Sequence, residues 1–476
     1  MVRIGYKRGR TINGARRIPQ FRLVAIAFAL CALILCGGTR AEALSDVEYK
    51  VAEITNQIVR KEIDLERYYL NYKMVGHKDP RWRRARYFLL QQAGTAAGAA
   101  ATTIPIVETG RNLKHPTNVR RGPLIKSYRV GIVGSCLGGG SSAMEFGSNC
   151  YTAVKNKVQH KDPGSVKNEV KRRLAEIDQL SAQRETLIHQ LPDDNLLAVC
   201  HAEGRVLKLF RDWCVYEFAD VYADVKAYQA SNSLYYLMDV TANTLVGTAY
   251  LCSIRSFTRI QAAKPAVISS LVADSFYIAS APVSAKAYTV LYNRAYKKIG
   301  ADLHEKIYDP EPEAKIQLAQ LQSLLQNSSI EQVGPFGAHS RAELLAVWSQ
   351  RYDEFYKEGE EGLRHLSKVA LQNNIQGPLI SLSYLGGDIV STNATYNLAA
   401  EHPRGSNSSY FAASISSTAG SAVSFALTTQ SLISEKRFEK HLRENGRLPE
   451  QIITKRLETL SDLDKLLANT GRGGTQ

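Results

Sequence analysis

PGSVKNEVKRRLAEIDQLSAQRETLIHQL, residues 163–191, is the stretch from which the fold is read. Val166, Val170, Leu174, Ile177, Leu180, Leu187 and Leu191 recur at three- and four-residue steps, with Lys, Arg and Glu between them. That spacing gathers the apolar side chains on one stripe of an α-helix and turns the charges to solvent. Pro163 suits the first turn, where its fixed φ is already helical and its missing N–H is not needed. The same pattern closes the chain in PEQIITKRLETLSDLDKLL (449–467), with Ile453, Leu457, Leu460, Leu463 and Leu467 on one stripe.

Pro310 opens a third such segment, and a second set of prolines keeps step with the first. Pro116, Pro265 and Pro403 each lie in a short polar loop between two stretches rich in Ala, Gly, Ser and Thr. From loop proline to helix proline the distances are 47, 45 and 46 residues, and successive loop prolines are 149 and 138 apart. Local sequence agrees. Asn112-Leu-Lys-His-Pro116 resembles Asn397-Leu-Ala-Ala-Glu-His-Pro403, Lys171-Arg-Arg-Leu resembles Lys455-Arg-Leu, and Arg67-Tyr-Tyr-Leu-Asn-Tyr-Lys73 matches Arg351-Tyr-Asp-Glu-Phe-Tyr-Lys357. The middle copy retains only Tyr222 and its surroundings. The expected fold is therefore all-α, with three internal helical repeats over 44–161, 162–308 and 309–446. Each holds amphipathic helices and a small-residue helical hairpin. The first unit has no Pro-started helix, whereas 447–476 adds one beyond the last unit. The C-terminal helix is expected to supply the missing member, closing a pseudo-threefold arrangement; an open array is the alternative.

Residues 1–43 read as a secretory signal peptide: a basic n-region, the apolar run LVAIAFALCALILC (23–36), and a small-residue site at Ala41-Glu42-Ala43. The full chain of 476 residues has 60 Lys+Arg against 45 Asp+Glu, a formal charge of +15. The signal holds +7 of that, so the remainder is only mildly basic and nucleic acid is not an expected partner. Five of the seven cysteines follow the signal: Cys136, Cys150, Cys200, Cys214 and Cys252. Cys136 and Cys150, like Cys200 and Cys214, are fourteen apart, too far on one helix to pair.

The hairpin arms admit two readings. Small residues such as those of AGTAAGAAATT (93–103) and GIVGSCLGGGSSA (131–143) let helices approach closely, in membranes or in tight soluble cores. Residues 87–107 and 408–430 are uncharged over a spanning length, and the first loop is basic. Against insertion stand Glu145, Asp239, Asp274, Lys286 and Asp388 in the other arms, at positions that are not equivalent between repeats.

Motifs that look chemical have simpler readings. Gly134-x-Cys136-x-x-Gly139 lacks the middle glycine of a dinucleotide turn and no strand follows. The histidines show no metal-ligand spacing, and His115 and His402 are expected to cap their loops. Ser141 and Ser421 lie in no nucleophile elbow. Asn327, Asn393 and Asn407 begin N-x-S/T sequons. No catalytic, cofactor-binding or metal-ligating residue is assigned, and no cofactor or small-molecule substrate is expected. The leading expectation is an exported, non-enzymatic structural or interaction protein of the cell envelope, meeting a protein partner or a membrane surface. The alternative is a polytopic membrane protein with a pore or transport path between its hairpins.

Overall fold

In the computed structural model, residues 46–76, 81–115, 120–191, 193–327, 341–350, 380–398 and 403–470 are described, and every regular element among them is helical. The signal segment, Pro116, His402 and Arg351–Lys357 lie outside the described residues. The helices are α1 (Asp46–Gly76), α2 (Arg81–Lys114), α3 (Arg121–Val158), α4 (Pro163–Ile188) and α5 (Asp194–Ser256). A 3₁₀ turn (Ile260–Ala262) leads to α6 (Ala263–Leu303) and α7 (Glu311–Asn327). Then come α8 (341–350), α9 (380–393, running into a π-helical turn, Ala394–Leu398), α10 (Pro403–Glu444) and α11 (Pro449–Thr470).

The amphipathic helices form one half of the molecule. Helix α1 packs against α4, α5 and α11, and α5 against α4 and α7. Val166, Val170, Leu174 and Ile177 of α4 are buried, as the periodicity of 163–191 requires. So are Ile453, Leu460, Leu463 and Leu467 of α11. Each such side chain stabilises the fold by about 1.5–3 kcal/mol. They share one core with Ile58, Ile63, Leu65 and Tyr69 of α1 and with Val206, Phe210 and Phe218 of α5. Trp348 of α8 stacks on Phe210 with ring centroids 4.6 Å apart. The last helix thus docks on the first: Arg67 donates to the Leu460 carbonyl at 2.9 Å and pairs with Asp464 at 3.1 Å.

The same turn connects a hairpin to the following Pro-started helix three times. His160, His304 and Gly446 take the left-handed conformation (φ 54°, 59° and 67°). After each, a backbone N–H reaches back five residues, from Lys161 to Asn156, Glu305 to Gly300 and Arg447 to Leu442, at 2.7–3.0 Å. This pattern satisfies carbonyls that the ending helix leaves open. Asp162 then caps α4 by accepting from the Gly164 and Ser165 amides.

The hairpin arms form the other half. Contacts run in a closed order: α2 with α3, α3 with α5, α5 with α6, α6 with Ala394–Leu398, that turn with α10, and α10 with α2. One feature differs from the expected succession of a Tyr-containing helix and then a hairpin arm. Over Asp194–Ser256 both are one helix, α5, of 63 residues. Neither Pro nor Gly occurs between Gly204 and Gly247, so nothing ends the first segment.

Candidate functional site

The arms place their polar groups inward. Where α2 and α3 cross, glycine permits the approach: a Cβ on Gly134 would lie 2.9 Å from the Gly94 carbonyl oxygen. That contact turns the α3 face bearing Gly131, Gly138, Ser142 and Glu145 toward α5 and α2. Glu145, 1% exposed, is held by Arg83 and by Arg86, the latter at 2.6 Å. Further toward the loop tips, Asp239 of α5 accepts from Ser142 and, at 3.1 Å, from Gln91. Next in the file come Asp274 of α6 and Asp388 of α9, whose carboxyls lie close enough to act on each other electrostatically. Ser270 stands beside Asp388. The Tyr277 ring stands within electrostatic reach of both Asp239 and Asp274, and Tyr250 and Tyr384 lie in the same group. Tyr384 donates to Ser421 at 2.7 Å.

The outward faces are the reverse. Over 87–107, 130–154, 227–254, 265–285 and 405–434 no exposed position carries Asp, Glu, Lys or Arg. Leu89, Val107, Val133, Met144, Leu237, Leu251, Ile268, Val272, Ile415, Val423 and Phe425 are exposed there instead. At about 1.5 Å per residue each run is at least about 30 Å long. Among the described residues one helical stretch, Ile260–Leu303, is long and apolar enough by length and composition to cross a membrane. At the tips, Lys114, Arg120, Arg121, Lys126, Arg129, Arg255, Arg259 and Lys264 are all exposed. Tips one and two are tied by Arg121 donating to the Phe257 carbonyl at 3.1 Å, and tips two and three by Lys264 over the Tyr396 ring. Lys286 is exposed at the opposite end of its arm, so it does not enter the interior.

The amphipathic half carries buried charge of its own. Glu203, 1% exposed, lies between Arg184 at 2.8 Å and Arg341 at 2.6 Å. Burial pushes its pKa up, but the two guanidinium charges outweigh that and hold it below the usual carboxylate range. Glu66 bonds the Trp348 indole at 2.9 Å and Arg456 of α11, which also pairs with Glu217. Burial keeps the Glu66 carboxyl above its ordinary pKa despite that arginine. Glu62 is fully buried and neither of its carboxyl oxygens has a hydrogen-bond partner, so burial raises its pKa well above the ordinary value.

The residues singled out in the sequence fall as follows. Gly134, Cys136 and Gly139 lie within helix α3, with Cys136 exposed and Gly139 against Asn243. Ser141 bonds the Gly138 carbonyl and Ser421 the Ser417 carbonyl, both within their own helices. His115 ends α2 with its amide on the Arg111 carbonyl. Asn393 is exposed and Asn407 half-buried, while Asn327 ends α7. All five described cysteines are free thiols, Cys200 and Cys214 buried. Among the described residues no group of three or more His, Cys, Asp or Glu side chains is placed to hold a metal ion. No family model matches the chain, and no curated protein or solved structure matches it either.

Proposed function

We propose that the chain is a polytopic membrane protein whose three hairpins cross the bilayer around a polar path for small cations. The observation that carries this reading is the inversion of polarity in the arms. Carboxylates and hydroxyls are buried between the helices, while Leu, Ile, Val and Phe face outward over the depth of a bilayer. In water that arrangement wastes the hydrophobic effect; in lipid it is the favourable one. A charge facing lipid costs at least ~2.5–3.5 kcal/mol on insertion scales, but Glu145, Asp239 and Asp274 face protein.

Two further features support it. Trp82, Tyr151 and Tyr228 are exposed at the ends of the arms nearest the amphipathic half, as aromatic residues are at a membrane interface. The tips bear only basic exposed charge over 109–129 and 255–264, which suits the cytoplasmic side. The amphipathic helices then lie on the exported side, in keeping with the signal peptide read at residues 1–43. A triplicated, pseudo-threefold architecture fits the three matching turns, the closed order of the arms and the docking of α11 on α1. Of the two functions expected from sequence, the membrane path is the better supported; a purely structural envelope protein gives the buried carboxylates no task.

The test is extraction of membranes bearing the full chain with alkaline carbonate. Retention in the pellet, with release only by detergent, is expected. Release as a soluble helical species overturns the reading.

A further inference from the structure

We propose that Asp274 and Asp388 form an exchangeable monovalent-cation site, for H⁺ or Na⁺, midway along the hairpin interior; this rests on the membrane reading above. Asp274 is 5% exposed, and its Oδ2 accepts no hydrogen bond from the protein. Beside it lies another carboxylate, Asp388, brought from a different hairpin. Among the described residues, Tyr250 of α5, Tyr277 of α6 and Tyr384 of α9 face the pair, with Ser270 beside Asp388 and Asp239 beyond Tyr277. Among the described residues, no lysine, arginine or histidine acts on either carboxyl.

Two carboxylates held together in a low-dielectric interior cannot both stay ionised without a positive charge between them. None of the described residues supplies that cation, and the proposal takes it from solution. The polar side chains named around the pair all present oxygen, which selects protons and hard cations. Two carboxylates with neutral hydroxyls are a thin ligand set for Ca²⁺, which takes 6–8 oxygens. They match one monovalent charge. Uptake forms an O–H bond or an ionic contact on one carboxylate oxygen, with no electron transfer. Tyr277 and Asp239 extend the same polar file toward Ser142 and Gln91.

Dicyclohexylcarbodiimide adds to protonated carboxyls in apolar surroundings, and peptide mass mapping locates the adduct. The full chain in its membranes is to be treated across a pH series, with NaCl or with choline chloride. Modification at Asp274 or Asp388 that falls at least tenfold as pH rises is expected. If NaCl but not choline chloride suppresses it at fixed pH, Na⁺ is the occupant; if both salts act alike, it is H⁺. In Asp274→Asn, modification of Asp388 at neutral pH is expected to drop at least tenfold, since a lone carboxylate has no partner with which to share a proton. Circular dichroism checks that the variant is folded. Absence of modification at every pH, or an Asp388 that reacts identically in the variant, overturns the site. Carbonate release would overturn membrane insertion without changing the labelling result, so the two failures are separable.

Discussion

Glu203 is the residue on which the amphipathic half is most exposed to damage. Its carboxylate is buried between Arg184 and Arg341, and removing it takes a buried counter-charge away from both guanidinium groups. Glu203→Gln is expected to destabilise the fold by about 3–5 kcal/mol, read from tryptophan fluorescence during urea unfolding. Because its folded pKa is depressed, the stability it contributes is present above the ordinary carboxylate pKa and is lost as pH falls through the lowered value. Glu62 has the opposite sign. Its folded pKa is raised, so its contribution is full below the ordinary value and fades as pH climbs toward the raised one. Glu62→Gln is expected to flatten the loss of stability above pH ~5, measured as the change in melting temperature between acidic and neutral buffers. Neither role was legible in the sequence. Arg341 stands 138 positions from Glu203, and Arg456 390 from Glu66, so only the fold reveals which charges meet.

At the scale of elements, the sequence was most informative where apolar and charged residues alternate on a helical period. Helices α4 and α11 bury the stripes that their leucines and valines define. The arms gave no such contrast, because Ala, Gly, Ser and Thr occupy both of their faces. Which way Asp239 or Asp274 points is decided by neighbours from other hairpins, and their unequal positions within the repeat hid their convergence. Glycine spacing did mark the close crossing of α2 and α3. Gly134→Leu would drive a side chain into the Gly94 backbone, and is expected to lower the melting temperature of the arms by several degrees in detergent, without changing helix content at low temperature. Deleting 447–476 removes Leu460, Leu463 and Leu467 from the face of α1 and takes Arg456 from Glu66. Proteolysis of the truncated chain is expected to cut within α1 as readily as near the new C-terminus. Cleavage confined to the C-terminal side would favour an open array.

For the whole molecule, the two halves differ in what they offer to solvent. The amphipathic half follows the rule for water, with an apolar core and charges outside. The arm half reverses it, and α5 runs unbroken through both. A native cysteine sits where the two environments make opposite forecasts. Cys136 is exposed on α3, between Val133 and Gly140 on the uncharged face. Maleimides react with thiolate, which does not form in hydrocarbon. The decisive measurement uses a chain whose only cysteine is Cys136, kept in intact membranes and treated with a membrane-impermeant maleimide. A second chain carrying only Arg172→Cys, on the charged surface of α4, serves as control. The control is expected to react from the exported side while Cys136 stays unmodified until SDS is added. Reaction of Cys136 in intact membranes at the rate of the control would contradict the membrane reading.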